Sequence, residues 1–273
     1  MSSFRRFSSV TSLQKKKQLP GTKSWLYGQS IISTGCKDLD NACGSGIPLG
    51  SIVIISEDSF IHQAKSFTKL FMAEGIQCKQ RILYIANDSE QTILEFLRKL
   101  PAKKEEKQVK KEETKKPQVP ATSAWQYGKY LSQSKSIFCL VSLNIDASEP
   151  LEYCHTFDFS KSEEDISQIS FLSLSSIQFE EDSIILSSIL SSIHQFIHTC
   201  KQADCVGRIV LSIDELLSDN TPLQIQLFSR VRQLIRGSTC VLYNTLFTDL
   251  NTTTLYRYGD CILDIQPWQG RVI

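Results

Sequence analysis

The chain has 273 residues, of which 41% are hydrophobic, and a formal net charge of +1 at neutral pH. This length and apolar content are sufficient for one large domain with a substantial core. The near-zero charge argues against bulk binding to a polyanion. No apolar stretch is long enough to span a bilayer, so we expect no membrane association.

Residues 1–24 combine serines with lysines and arginines and contain few apolar residues. Such a segment buries little surface, and we predict a disordered basic tail. The alternative is a contact with nucleic acid or the nuclear-import machinery through the lysine triplet at 15–17. Residues 25–273 are expected to form a single domain.

The first core elements alternate between strand and helix. Ser51–Ile55 is an apolar run that follows a glycine and predicts a buried strand. Phe60–Gly75 carries a helical stripe of apolar residues, and we expect Gly75 to end this helix. Arg81–Ala86 predicts the next strand, and Ser89–Leu100 predicts a helix with one apolar face.

Residues 101–123 interrupt this alternation with interspersed lysines and glutamates that end at Pro117 and Pro120. The segment has no apolar face, so we expect either a solvated loop or a transient charged helix. We interpret it as a disordered, charged insertion into the domain, and not as a boundary between two domains.

The second half of the chain resumes the alternation. Alternating strands and helices predict the α/β class, with a mostly parallel central sheet flanked by helices. The predicted elements are a linker at 160–165, a short strand at 169–172, a helix starting near Asp182, a strand at 208–213, a helix at 223–237, and strands at 240–244 and 261–265.

The segment after the first strand has the position of an ATP-binding phosphate loop but not its residues. In G-x-x-x-x-G-K-[ST], glycine amides surround the phosphates and the lysine meets their charge. Here the glycine, lysine and threonine positions hold other residues, and Glu57 and Asp58 add negative charge. The degenerate positions are Ser56, Ile61, His62 and Gln63. We therefore predict no catalytic site, no cofactor and no bound metal.

Three sets of residues carry a family resemblance. The frame Ser33-Thr34-Gly35, Leu39-Asp40 and Gly46–Gly50, followed by a strand, resembles the opening of RecA-like ATPase domains. The segment Ser56–Gln77 and the aromatic segment Tyr153–Ser160 narrow the resemblance to the PAXNEB family, the fourth subunit of the Elongator complex. The resemblance covers residues 24–265.

This resemblance implies a RecA-like fold and a non-catalytic role in assembly. The chain would join the fifth and sixth Elongator subunits, also RecA-like, in a heterohexameric ring. The ring is attached to the catalytic subcomplex and engages tRNA during modification of the wobble uridine at C5. An alternative is a recombinase-type ATPase with an unorthodox nucleotide loop, and a third interpretation is a stand-alone RNA-binding protein that uses the basic tail.

Two further sets of residues have a functional and a structural interpretation. Asp214, at the end of an apolar strand, resembles the Walker B acid that holds magnesium, although acids often follow strands as turn residues. Arg230, Arg232 and Arg236 lie on the predicted helix 223–237. From the resemblance to RecA-like rings they could act at a neighbouring subunit's interface, and otherwise they form surface ion pairs.

Histidines and cysteines give weaker signals. Cys154 and His155 would point to opposite faces of a strand, so we favour a packing or subunit-contact role for His155. His194 and His198 share a helical face, but no third ligand accompanies them. The nine cysteines form no C-x-x-C pair. They are most simply buried thiols in a reducing compartment, which predicts a cytoplasmic and nuclear location.

Overall fold

The computed structural model describes residues 18–25, 28–57, 63–104, 153–163, 165–176, 181–213, 221–247 and 252–266. The described residues on either side of the gap at 105–152 belong to one compact unit. Most of the predicted tail and of the predicted charged insertion lies outside these ranges. No helix within them is long and apolar enough to cross a membrane.

The elements of the described ranges alternate as the sequence predicts. The strands are β1 (Thr22–Ser24), β2 (Ser30–Ile32), β3 (Ile47–Pro48), β4 (Ile52–Glu57), β5 (Arg81–Ala86), β6 (Pro101–Lys103), β7 (Phe157–Ser162), β8 (Ile169–Ser173), β9 (Gly207–Ser212), β10 (Cys240–Phe247) and β11 (Cys261–Ile265). The helices are α1 (Lys37–Ala42), α2 (Gln63–Gln77), α3 (Glu90–Arg98), α4 (Asp182–Gln202) and α5 (Thr221–Ile235), with a short 3-10 helix at Thr252–Arg257.

A six-stranded sheet in the order β11-β4-β10-β9-β5-β8 forms the centre of the molecule. All of its neighbouring strands run parallel. Every residue of β4 is buried, as expected for a parallel strand covered on both faces. A small antiparallel sheet is formed by β1, β2 and β3, which precede β4 in the sequence. The predicted α/β class, with a mostly parallel central sheet flanked by helices, is confirmed.

Two apolar layers cover the two faces of this sheet. Successive side chains of a strand point to opposite faces, so Ile54 of β4 packs with α4 and α5, whereas Val53 packs with α2 and α3. Burial of both faces removes the apolar strand residues from water, which is the main favourable contribution to folding. Because both faces are covered, a binding site on this sheet has to lie at the ends of its strands.

The prediction that Gly75 ends the second helix is wrong. α2 continues to Gln77, and Gly75 is a buried helical residue. A Cβ added at Gly75 would lie 2.8 Å from Cδ of Arg208 and 3.0 Å from Cδ1 of Ile82. The glycine therefore permits a close approach between α2 and a side chain from β9, and does not cap the helix.

The second difference concerns the start of the predicted insertion and the predicted linker. Pro101–Lys103 forms β6, which pairs antiparallel with β7. β7 occupies Phe157–Ser162 and so covers half of the predicted linker at 160–165. The partners lie on opposite sides of the 105–152 segment, and β7 is largely exposed. Neither strand therefore shows the apolar pattern by which a strand is recognised.

Candidate functional site

The carboxyl ends of β4, β5, β9 and β10 meet at one edge of the sheet. This is where open parallel sheets bind ligands. A cavity of about 240 Å³ lies at this edge, between the strand ends and the first turns of α2 and α3. Its described lining includes the carboxylates of Glu57 and Asp88 and one ammonium group, that of the exposed Lys65. Such a lining does not complement a triphosphate.

Glu57 occupies the position that a phosphate group would take at the start of α2. Its side chain is buried, and its Oε2 accepts a hydrogen bond of 2.8 Å from the backbone N–H of Ala64. The first N–H groups of a helix have no partner within the helix and attract anions. In this protein an intramolecular carboxylate already satisfies one of them.

Of the other degenerate positions of the loop, the structure describes Ser56 and Gln63. Ser56 is fully buried and its hydroxyl donates to Oδ1 of Asp264 at 2.9 Å. Tyr256 in turn donates its hydroxyl to Oγ of Ser56 at 3.0 Å. Gln63 is exposed at the start of α2. Ile61, His62 and the Walker B-like Asp214 lie outside the described residues.

The three candidate arginines of α5 differ in their contacts. Arg232 donates from Nη1 to the carbonyl oxygen of Arg257 at 2.9 Å and from Nη2 to Asp260 at 3.2 Å. Arg236 is exposed and lies 4.0 Å from the same carboxylate. Arg230 is exposed and borders a surface hollow between α4 and α5. Arg230 is therefore better placed than Arg232 to contact another molecule.

The S-T-G…L-D frame at residues 33–40 forms a hydrogen-bonded clamp. Asp40 of α1 is buried, and its Oδ2 accepts from the hydroxyl of Ser33 at 2.5 Å. Its Oδ1 accepts from the backbone N–H and the hydroxyl of Thr34, both at 2.7 Å. The aspartate thus fixes the chain that follows β2 against α1.

A buried arginine connects this clamp to the sheet. Arg208 of β9 is fully buried and donates from Nη1 to the carbonyl oxygens of Ser33 and Phe71, at 2.9 and 2.8 Å. Its Nε donates to Oε1 of Gln80 at 2.7 Å, and its guanidinium lies 4.4 Å from the ring centroid of Phe71. Burial lowers the pKa of this guanidinium, while the charge of Glu74 acts in the opposite direction.

Sequence reasoning missed a buried polar cluster formed by Glu74, Cys78 and His155. Glu74 is fully buried in α2, and its carboxylate accepts from the backbone N–H of His155 at 2.9 Å and from the thiol of Cys78 at 3.3 Å. Nδ1 of His155 lies 3.0 Å from Oε1 of Glu74. The signal in the sequence was a carboxylate within the apolar stripe of a predicted helix.

Burial raises the pKa of the Glu74 carboxyl, but the hydrogen bond from His155 and the charge of Arg208 outweigh this, so the pKa lies below its ordinary value. The carboxylate is thus held in its charged form within the fold.

The strand interpretation of Cys154 and His155 is wrong. Cys154 has a φ of 68°, and β7 begins only at Phe157. His155 instead packs within the chain against α2. His194 and His198 are exposed on α4. Among the described residues they belong to no group of three metal-ligating side chains.

Comparisons with known proteins agree with one another. Elongator complex protein 4 of Dictyostelium discoideum is 32% identical over 169 residues, which cover 53% of this chain and 37% of the relative. The protein of the same name from Drosophila melanogaster is 40% identical over 96 residues, covering 34% of this chain and 22% of the relative. The human protein of that name is 31% identical over 143 residues, covering 44% and 33%.

The matches to these relatives cover well under two thirds of their length. Among solved structures, a KaiC-like protein of Pyrococcus horikoshii OT3 matches with a TM-score of 0.48 and 9% identity, over 89% of this chain and 83% of that one. The model of the PAXNEB protein family matches residues 15–271, almost the whole sequence. The chain belongs to the PAXNEB family.

Proposed function

We propose that this protein is a non-catalytic, RecA-like subunit of the Elongator complex. It would assemble with the fifth and sixth subunits into a heterohexameric ring, bind the catalytic subcomplex, and contact tRNA through the assembled ring during C5 modification of the wobble uridine. Its family and the shared name of its relatives support membership of the complex. Its location would be cytoplasmic and nuclear.

The hydrogen bond between Glu57 and Ala64 carries the non-catalytic part of this proposal. A nucleotide bound at the start of α2 would place a γ-phosphate beside a buried carboxylate. Like charges at such a distance repel strongly when water is excluded. The helix terminus would also have to give up the partner that it already has. This geometry supports a role in assembly with other subunits and not in nucleotide hydrolysis.

Assembly into a ring is consistent with the arginines of α5. A closed ring gives each subunit two different faces and makes association self-limiting. Arg230 is exposed on α5, whereas Arg232 is engaged within the chain. We therefore assign a contact with a neighbouring subunit to the face that carries Arg230.

The assembly proposal predicts the composition of a purified complex. Co-expression of this chain with the fifth and sixth Elongator subunits of the same organism is expected to yield one complex containing equal amounts of the three chains. Native mass spectrometry of the affinity-purified material measures this stoichiometry. Arg230→Glu is expected to weaken assembly more than the matched change Arg236→Glu. Recovery of this chain as a monomer in the presence of both partners would refute the proposal.

The non-catalytic proposal predicts that the isolated chain does not bind ATP saturably. Titration with a fluorescent ATP analogue and Mg²⁺, followed by anisotropy, is the measurement. Glu57→Gln removes the repelling charge while keeping the side-chain size, and it is expected to remain without binding because no lysine or glycine cradle is present. Saturable binding by the wild type that Asp214→Ala abolishes would instead establish the recombinase-type ATPase.

A further inference from the structure

The cluster of Glu74, Cys78 and His155 contains the ligand types of a zinc site. One ligand atom from each residue lies within 4.8 Å of the other two. Glu74 is fully buried, and the Cys78 residue and the His155 side chain are each only 8% exposed. Glu74 lies in the last turn of α2 and Cys78 follows the last residue of that helix. The backbone N–H of Cys78 donates to the carbonyl oxygen of Glu74 at 3.0 Å, which places the two residues one above the other. His155 comes from the segment that precedes β7.

The combination of a thiol, an imidazole and a carboxylate selects among metals. Zn²⁺ accepts sulfur, nitrogen and oxygen ligands together, whereas Ca²⁺ and Mg²⁺ take oxygen ligands. Three protein ligands are the number found in zinc sites that keep a fourth position for water. The three ligand residues are largely buried, so a bound ion would connect two distant segments of the chain rigidly.

Charge balance at this position permits a divalent ion despite the nearby Arg208. A zinc ion with the carboxylate of Glu74 and the thiolate of Cys78 has no net charge. Arg208 is electrostatically coupled to Asp40 as well as to Glu74.

Metal binding would displace a proton from the thiol. Zinc binds the thiolate of cysteine, so the S–H bond of Cys78 is replaced by an S–Zn bond and H⁺ is released to solvent.

We propose that Glu74, Cys78 and His155 bind a Zn²⁺ ion that fastens the segment before β7 to the last turn of α2. Glu74 and Cys78 precede the 105–152 segment in sequence, and His155 follows it. The ion would therefore link two parts of the chain that are far apart in sequence, beside the start of β7. Closing a long loop with a metal stabilises the folded state by reducing the freedom of the unfolded chain.

The test uses the full-length chain, purified without a histidine tag. Zinc content is measured by plasma mass spectrometry, and Co²⁺ is then substituted to provide visible and near-ultraviolet spectra. One zinc per chain and a thiolate-to-cobalt charge-transfer band are expected. In Cys78→Ser the band should disappear, and the zinc affinity should fall by more than the roughly 10–100-fold that loss of an outer-shell partner causes.

The matched controls are Cys261→Ser and His194→Ala, which change the same residue types outside the cluster and should leave both signals unchanged. Circular dichroism establishes that each variant is folded, and His155→Gln provides a second variant if Cys78→Ser is not. Wild-type protein that takes up no more zinc than Cys78→Ser, or a cobalt spectrum without a thiolate band, would show instead a hydrogen-bonded cluster that needs no metal.

Discussion

Replacing Arg208 by alanine is expected to destabilise the protein by about 3–5 kcal/mol, because it removes one partner of a buried group of charges. The guanidinium is fully buried, bonds to the carbonyl oxygens of Ser33 and Phe71, and lies near the carboxylate of Glu74. Its loss would remove the favourable interaction of this carboxylate with the guanidinium charge and leave two buried carbonyl oxygens without this donor. The measurement is the midpoint and slope of urea unfolding followed by circular dichroism.

Two variants make this prediction specific. Arg208→Lys keeps the charge but cannot reproduce the fork that bonds two carbonyls and Gln80, so its stability should lie between those of the alanine variant and the wild type. Arg230→Ala removes an exposed arginine and should change stability by less than about 0.5 kcal/mol. An Arg208→Ala protein as stable as Arg230→Ala would contradict the role assigned to the buried guanidinium.

Replacing Asp40 by alanine is expected to cost about 3 kcal/mol, since each buried donor left without a partner costs about 1–3 kcal/mol. The donors are the hydroxyl of Ser33 and both the backbone N–H and the hydroxyl of Thr34. Asp38 lies on the same short helix and is exposed, so Asp38→Ala is the matched control. Urea unfolding of both variants gives the difference directly.

The isosteric change Asp40→Asn separates hydrogen bonding from packing. An amide keeps one acceptor oxygen but places an NH₂ group against other donors. Its cost should therefore be clearly measurable but smaller than that of Asp40→Ala. If Asp40→Ala and Asp38→Ala unfold at the same urea concentration, the 33–40 frame is not a stabilising clamp.

The parts of this fold that could be predicted are those whose signal is local. The apolar runs of β4, β5 and β9 identify buried strands, and their alternation with helices identifies a parallel sheet. The loss of the phosphate loop is likewise visible in the sequence, because the residues from Ser56 onward do not match the G-x-x-x-x-G-K-[ST] pattern. Glu57 was expected to bring negative charge to this place, and its buried carboxylate does accept from the start of α2.

The parts that could not be predicted depend on contacts between distant residues. β6 and β7 are short and mostly exposed, so only their pairing identifies them. A glycine such as Gly75 often ends a helix, but here it lies within α2 because the side chain of Arg208 packs closely against it. Glu74 and Arg208 carry opposite charges and are both fully buried, and periodicity does not indicate that they meet. When two elements each carry a charged residue among apolar ones, and the charges are opposite, the pair is a candidate for a buried interaction.

The pairing of β4 has a consequence for how the protein is made. Its two neighbours in the sheet are β10 and β11, which come from the last part of the sequence. During synthesis on the ribosome, this buried and mostly apolar strand has no partner until the last part of the chain has emerged. An amino-terminal fragment that stops before Cys240 would expose both edges of β4 and is expected to require a chaperone or to aggregate.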